Sequence, residues 1–167
     1  MAARSKKPAP TDAKQLGDPE ARGFLLQNSP FYLLAQVNGR YTLDMERSLK
    51  RVGMDLPRWR VLMVVNEHNP SSISEIAHRA VMRLSTMTKV AQRLEQEGLV
   101  RLEPCATDGR KTDVFITADG LAAVEKIRRV ASRIYRQAFA DFEPQEVEHM
   151  LRMLRRLLVN LEQQPDA

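Results

Sequence analysis

Apolar residues recur at Leu34, Val37, Tyr41, Met45, Leu49 and Val52, the spacing that lines one side of a helix. Ser29 before Pro30 supplies a start and Gly53 a stop, so the pattern predicts a long helix over 30–52. Leu56-Pro57 opens another, which carries Trp59, Leu62, Met63 and Val65 and closes at Asn69-Pro70. Upstream, Asp18 and Pro19 have the order of a cap and a first helical residue. Phe24, Leu25 and Leu26 follow as an apolar side, and a short helix is expected there.

From residue 72 the elements shorten. Ser72-Ile73-Ser74-Glu75 has capping-box spacing, with Ile73, Ile76, Ala77, Ala80 and Val81 as one apolar stripe. A tight turn and a second helix over 82–97 come next. Its apolar residues Met87, Val90, Ala91 and Leu94 recur at helical spacing, so Ser85, Thr86, Thr88, Lys89, Gln92 and Arg93 face outward. Gly98 ends it. Leu99–Leu102 and Thr112–Thr117 read as two strands, joined by a long loop whose turn signal is Asp108-Gly109. Thr117 caps a long helix holding Leu121, Val124, Ile127, Val130, Ala131, Ile134 and Ala138. After Glu143-Pro144 a last helix carries Val147, Met150, Leu151, Leu154, Leu157, Leu158 and Leu161. The fold class expected is mainly α with a small β-hairpin wing.

Composition narrows the class. At 167 residues the chain has the size of one ordinary domain, and 43% hydrophobic with 28% charged residues argues against wholesale disorder. No run of about 18 uncharged apolar residues exists to span a bilayer, and the N-terminus leads into polar sequence instead of an apolar signal core. A cytoplasmic protein with no membrane partner is expected. The single cysteine, Cys105, excludes an intrachain disulfide framework and reads as a passive loop thiol. His68, His78 and His149 lack ligand spacing, so no metal or other cofactor is expected. No phosphate-binding glycine loop, nucleophile elbow or paired-carboxylate arrangement appears, which leaves no catalytic candidates.

Lys and Arg number 26 against 21 Asp and Glu, a formal charge of +5. The location of that charge is more telling than its size. Arg4, Lys6, Lys7 and Lys14 lie in residues 1–28, read as a basic, largely flexible tail. Between Arg79 and Leu94 there are four arginines or lysines (Arg79, Arg83, Lys89, Arg93) and no acid, and Arg110-Lys111 stand at the hairpin loop. Two short helices, a tight turn and a hairpin with a basic tip make a winged helix-turn-helix, with double-stranded DNA as the expected partner. The outward residues of the second short helix are donors and acceptors for base edges and phosphates, and Arg110 can enter a minor groove. Asp108 could hold Arg110 extended or serve simply as a turn residue.

These residues resemble the multiple-antibiotic-resistance regulator (MarR) family of winged-helix repressors. The carrying stretches are Ser85-Thr86-Met87-Thr88-Lys89-Val90, Leu94-Glu95-Gln96-Glu97-Gly98-Leu99-Val100, and Asp108-Gly109-Arg110 with Ile116-Thr117 and Gly120. Two departures stand out. Leu102 follows Arg101 where the family often has a second arginine, and Arg83-Leu84 opens the recognition helix without a Ser or Asp cap. The resemblance implies a homodimer on a pseudo-palindromic operator, with 29–55 and 118–163 as the dimerisation region and 56–117 as the DNA-binding domain. It also implies release by a small effector, of which aromatic or phenolic acids and their CoA thioesters are frequent examples, and control of aromatic catabolism, efflux or stress genes. Tyr32, Arg40, Tyr41, Trp59 and Arg60 combine rings and cations suited to such an acid, although core packing and surface ion pairs would account for the same residues. An effector-independent or architectural DNA binder is the alternative within this fold, and a helical protein-interaction module the alternative outside it.

Overall fold

The computed structural model describes residues 17–163. The basic stretch with Arg4, Lys6, Lys7 and Lys14 lies outside them. Two compact units are present, one reaching to Leu56 and the other starting at Pro57.

The first unit is mostly one helix, α1, Pro30–Lys50. Pro30 fits the first helical position, where no backbone N–H is needed, and the Ser29 hydroxyl accepts from Tyr32 N at 3.5 Å. The expected helix at Asp18-Pro19 does not form. Asp18 Oδ1 accepts from Glu20 N at 3.0 Å, a side-chain turn that satisfies the chain locally, and only a single 3-10 turn at Leu26–Asn28 follows. Along α1 only Met45 and Leu49 of the apolar series are buried. Leu34 and Val37 are exposed, and Val52 falls in the turn beyond the helix.

The helix α2, Leu56–Glu67, belongs to the second unit from Pro57 onward, and in it Val61, Leu62 and Val65 are fully buried. Then come β1 (Ser71–Ser72), α3 (Ile73–Arg79) and α4 (Leu84–Gln96). The capping box forms as the spacing predicts: Ser72 Oγ accepts from Glu75 N at 3.3 Å while Glu75 Oε2 accepts from Ser72 N at 3.2 Å. Ile76, Ala77 and Ala80 are buried, but Val81 leaves the stripe. It lies beyond α3 with φ of 53° and is 87% exposed, because the turn between the two helices needs a left-handed residue there. At the end of α4, Gly98 adopts φ of 73° and lets Leu99 N reach Leu94 O at 2.9 Å.

The hairpin comprises β2 (Val100–Pro104) and β3 (Thr112–Ile116), antiparallel with Leu102 opposite Val114 and Pro104 opposite Thr112. The two-residue β1 pairs with the other side of β3, giving a three-stranded sheet of order β1-β3-β2 in place of the two strands expected. Val100 and Val114 turn inward to the same core as Met87, Ala91 and Leu94 of α4. Each fully buried aliphatic side chain in this core contributes about 1.5–3 kcal/mol, which fixes α4 and the sheet in one frame. Thr117 caps α5, Ala118–Ala138, by accepting from Gly120 N at 3.0 Å, and α6 runs Pro144–Glu162.

Candidate nucleic-acid interface

The core face of α4 is set by Met87, Ala91 and Leu94, so helical geometry turns Ser85, Thr86, Lys89, Gln92 and Arg93 to the surface. Thr88 sits at the margin, half-buried, with its hydroxyl donating to Leu84 O at 3.1 Å. Gln96 is also exposed, one turn beyond Gln92 and two beyond Lys89. It extends this face, and the same periodicity would have found it. Arg83 occupies the N-cap position of α4 with no side-chain cap, as its sequence suggests.

Arg93 is not simply outward. Its Nε donates to Glu97 Oε1 at 3.1 Å, and Glu97 Oε2 accepts from Arg58 Nη1 of α2 at 2.5 Å. The carboxylate just past the acid-free stretch is thereby shared between two guanidinium groups.

In the wing, Asp108 takes both roles open to it. Its Oδ1 accepts from Arg110 N at 3.2 Å, shaping the turn, and lies 3.6 Å from Arg110 Nε. Its Oδ2 lies 3.8 Å from Lys111 Nζ. The Arg110 side chain is 96% exposed, so the ion pair leaves it accessible to a polyanion. Cys105 is half-buried, with Sγ 3.3 Å from Thr107 Oγ1.

The fold brings the two parts together. Ser74, Leu84 and Thr88 face Arg110 and Lys111 across a cleft of about 330 Å³ between the starts of α3 and α4 and the wing. On the outer face of the sheet, the Arg101 guanidinium lies 4.6 Å over the Phe115 ring and pairs with Glu103.

The remaining candidates are placed separately. Tyr32, Arg40 and Tyr41 belong to the first unit, Trp59 and Arg60 to the second. Tyr32 and Tyr41 are half-buried and stand about two and a half turns apart, hence on opposite sides of α1. The Tyr32 hydroxyl accepts from Gln36 Nε2 at 2.9 Å, and Arg40 lies exposed along a shallow cleft on α1 with Gln36 and Glu46. Trp59 and Arg60 are half-buried. His68 and His78 line a cleft with Glu67, Glu75 and Arg79, and His149 Nδ1 is 3.4 Å from Arg152 Nη2. Among the described residues no group of His, Cys, Asp and Glu could hold a metal ion, and no helix is long and apolar enough to cross a membrane.

A two-helix unit joined by a tight turn, a polar and cationic helix face and an adjacent hairpin with a cation at its tip define a winged helix-turn-helix protein of the DNA-binding type. Residues 52–111 match the MarR family model. The chain is 43% identical over 145 residues to the HTH-type transcriptional repressor IacR of Pseudomonas putida, covering 87% of each chain. It is 27% identical over 107 residues to the homoprotocatechuate degradative operon repressor of Escherichia coli, covering 64% of this chain and 72% of that one. The crystal structure of a MarR family transcriptional regulator from Silicibacter pomeroyi superposes with a TM-score of 0.75 at 24% identity, over 81% of this chain and 92% of that one. The chain belongs to the MarR family of transcriptional regulators.

Proposed function

We propose that this regulator is a homodimeric repressor that binds a pseudo-palindromic operator through α4 and the wing and leaves it when a small aromatic acid, or its CoA thioester, binds. The observation that carries the DNA reading is the cleft joining α4 to Arg110 and Lys111, flanked by a helix surface without acids from Arg79 to Leu94. Ser85, Thr86, Thr88, Lys89, Gln92 and Arg93 contact bases and phosphates in the major groove, and Arg110 and Lys111 the neighbouring minor groove and backbone.

Dimerisation is supported by α6, in which a single chain buries no residue: Leu151, Leu158 and Leu161 are exposed, as are Phe31 and Val37 on α1. A surface this apolar favours a second copy of the chain, with 29–55 and 118–163 assigned to dimerisation and 56–117 to DNA binding. Two-fold symmetry then presents two α4 helices to half-sites about one helical turn apart.

Two relatives are repressors, and one carries the name of an aromatic-acid degradation operon, which supports an aromatic carboxylate as effector. Tyr32 and Arg40 along one side of α1, Tyr41 on the other, and Trp59 and Arg60 on α2 are separate candidates to bind it, a ring by stacking or an arginine by pairing with the carboxylate. Genes for aromatic catabolism, efflux or stress are the expected targets.

The test is selection of bound genomic fragments by the full chain, followed by band shifts with and without a panel of aromatic acids. Recovery of a palindromic motif, with release by a member of the panel, is expected. A chain that binds duplex DNA but is released by none of them is an effector-independent or architectural binder. Failure to retain duplex DNA at low salt overturns the reading altogether.

A further inference from the structure

Glu95 stands in the last turn of α4, where two local effects oppose a carboxylate. The C-terminal end of a helix carries partial negative charge, and a carboxylate next to a DNA-binding face repels phosphates. Its side chain has a specific partner. In the order β1-β3-β2 the strand β2 is an outer one, and Leu102 N on it donates to Glu95 Oε1 at 2.9 Å. A backbone N–H at a sheet edge is thereby satisfied by the recognition helix.

We propose that Glu95 is a positioning residue for DNA recognition, fixing the wing to the recognition helix so that the helix and Arg110 meet adjacent grooves in a set spacing. The inference rests on the DNA-binding reading above. The root of the hairpin is held elsewhere: Thr117 Oγ1 donates to Gly98 O at 2.7 Å, and Asn69 Oδ1 accepts from Ile116 N at 3.1 Å. Both bonds lie where the hairpin meets the body, and β1 fastens one side of the hairpin by pairing with β3 at Val114 and Asp113. On the opposite side β2 has only β3 beside it in the sheet, and the Glu95 bond at Leu102, in the middle of β2, fastens that outer edge to α4. The tether ties the element that reads bases to the one that carries the minor-groove cation. It therefore affects affinity without touching DNA.

The experiment compares Glu95→Gln with Glu95→Ala in the full chain. Both remove the same charge, and only glutamine keeps an acceptor oxygen, so their difference isolates the hydrogen bond from electrostatics. The probe is a duplex recovered from a random-sequence pool by the wild type. Two readouts are taken: hydroxyl-radical protection of the minor groove flanking the site, and amide exchange at Leu102 in the free protein. The glutamine variant is expected to bind at least as tightly as the wild type and to keep the minor-groove protection. The alanine variant is expected to lose that protection, as Arg110→Ala does, to bind about tenfold more weakly than the glutamine variant and to exchange Leu102 faster. Equal protection and equal exchange in the two variants would overturn the role. If the wild type recovers no duplex, the DNA reading fails instead, while the exchange comparison still decides whether the tether exists.

Discussion

Arg58, 7% exposed on α2, donates to Glu97 Oε2 at 2.5 Å, at the C-cap of α4 and 39 residues along the chain. A guanidinium so far removed from water depends on a carboxylate, and Glu97 supplies one while its other oxygen holds Arg93. Glu97 is itself about one-third exposed, so the full penalty of a buried, broken pair does not apply. Glu97→Gln is expected to destabilise the fold by roughly 1–2 kcal/mol. Urea unfolding would register this as a lower midpoint at unchanged slope, and an unchanged midpoint would show that the pair contributes nothing.

Val81 is a β-branched residue in the left-handed region, where its Cβ crowds the following carbonyl. Its side chain is 87% exposed, so little packing is lost on removing it. Val81→Gly should stabilise the fold by about 0.5–1 kcal/mol, the relief of strain exceeding the entropy that glycine adds to the unfolded chain. A rise in thermal midpoint checks it. A fall would mean that the valine side chain makes contacts worth more than its backbone strain.

Gly120 and Gly39 are both helical, and the same substitution should act in opposite directions on them. A Cβ at Gly120 would lie 2.1 Å from Leu99 O and 2.8 Å from Ile116 Cγ1, so α5 approaches the start of the hairpin as closely as a backbone can. Neither neighbour is the far end of a flexible side chain. Gly120→Ala is expected to cost about 3 kcal/mol or more, whereas Gly39→Ala, with nothing within 4 Å, should gain about 0.5–1 kcal/mol in α1. Equilibrium unfolding of the two variants side by side measures the contrast.

What could be read from the sequence was what its residues decide locally. The Ser72–Glu75 box, the Ser29-Pro30 start and the Met87–Leu94 stripe depend on neighbours three or four positions away, and the structure has them. The strand β1 is two residues long, too short for any periodicity, and exists because β3 passes beside it. Asp18 followed by Pro19 satisfies a helix start and a turn equally well, and a local side-chain bond decided for the turn. Val81 continued an apolar spacing that the chain abandons at Ala80, since no single-residue preference announces a left-handed valine. At the interface the exposed residues of α4 were legible for the same local reason. The bonds that organise them, Glu97 with Arg58 and Glu95 with Leu102, connect separate elements and left no mark in the spacing.

Arg110 and Gln92 should separate affinity from specificity. Arg110 extends from the wing tip, and a guanidinium in a minor groove or near phosphates gains from negative potential that most sequences provide. Gln92 is on the exposed face of α4, where an amide can take paired hydrogen bonds to adenine that other bases do not offer. Arg110→Ala is expected to weaken operator and random duplex by similar factors and to reduce the magnitude of the salt slope by about one. Gln92→Ala should leave the salt slope unchanged and bring the operator closer to random sequence, by about 1–3 kcal/mol if its contact is bidentate. Band shifts of both variants on both duplexes over a salt series give all four quantities. An Arg110→Ala variant with wild-type affinity and slope would remove the wing from the interface, and a Gln92→Ala variant with full discrimination would move base reading to other residues of α4.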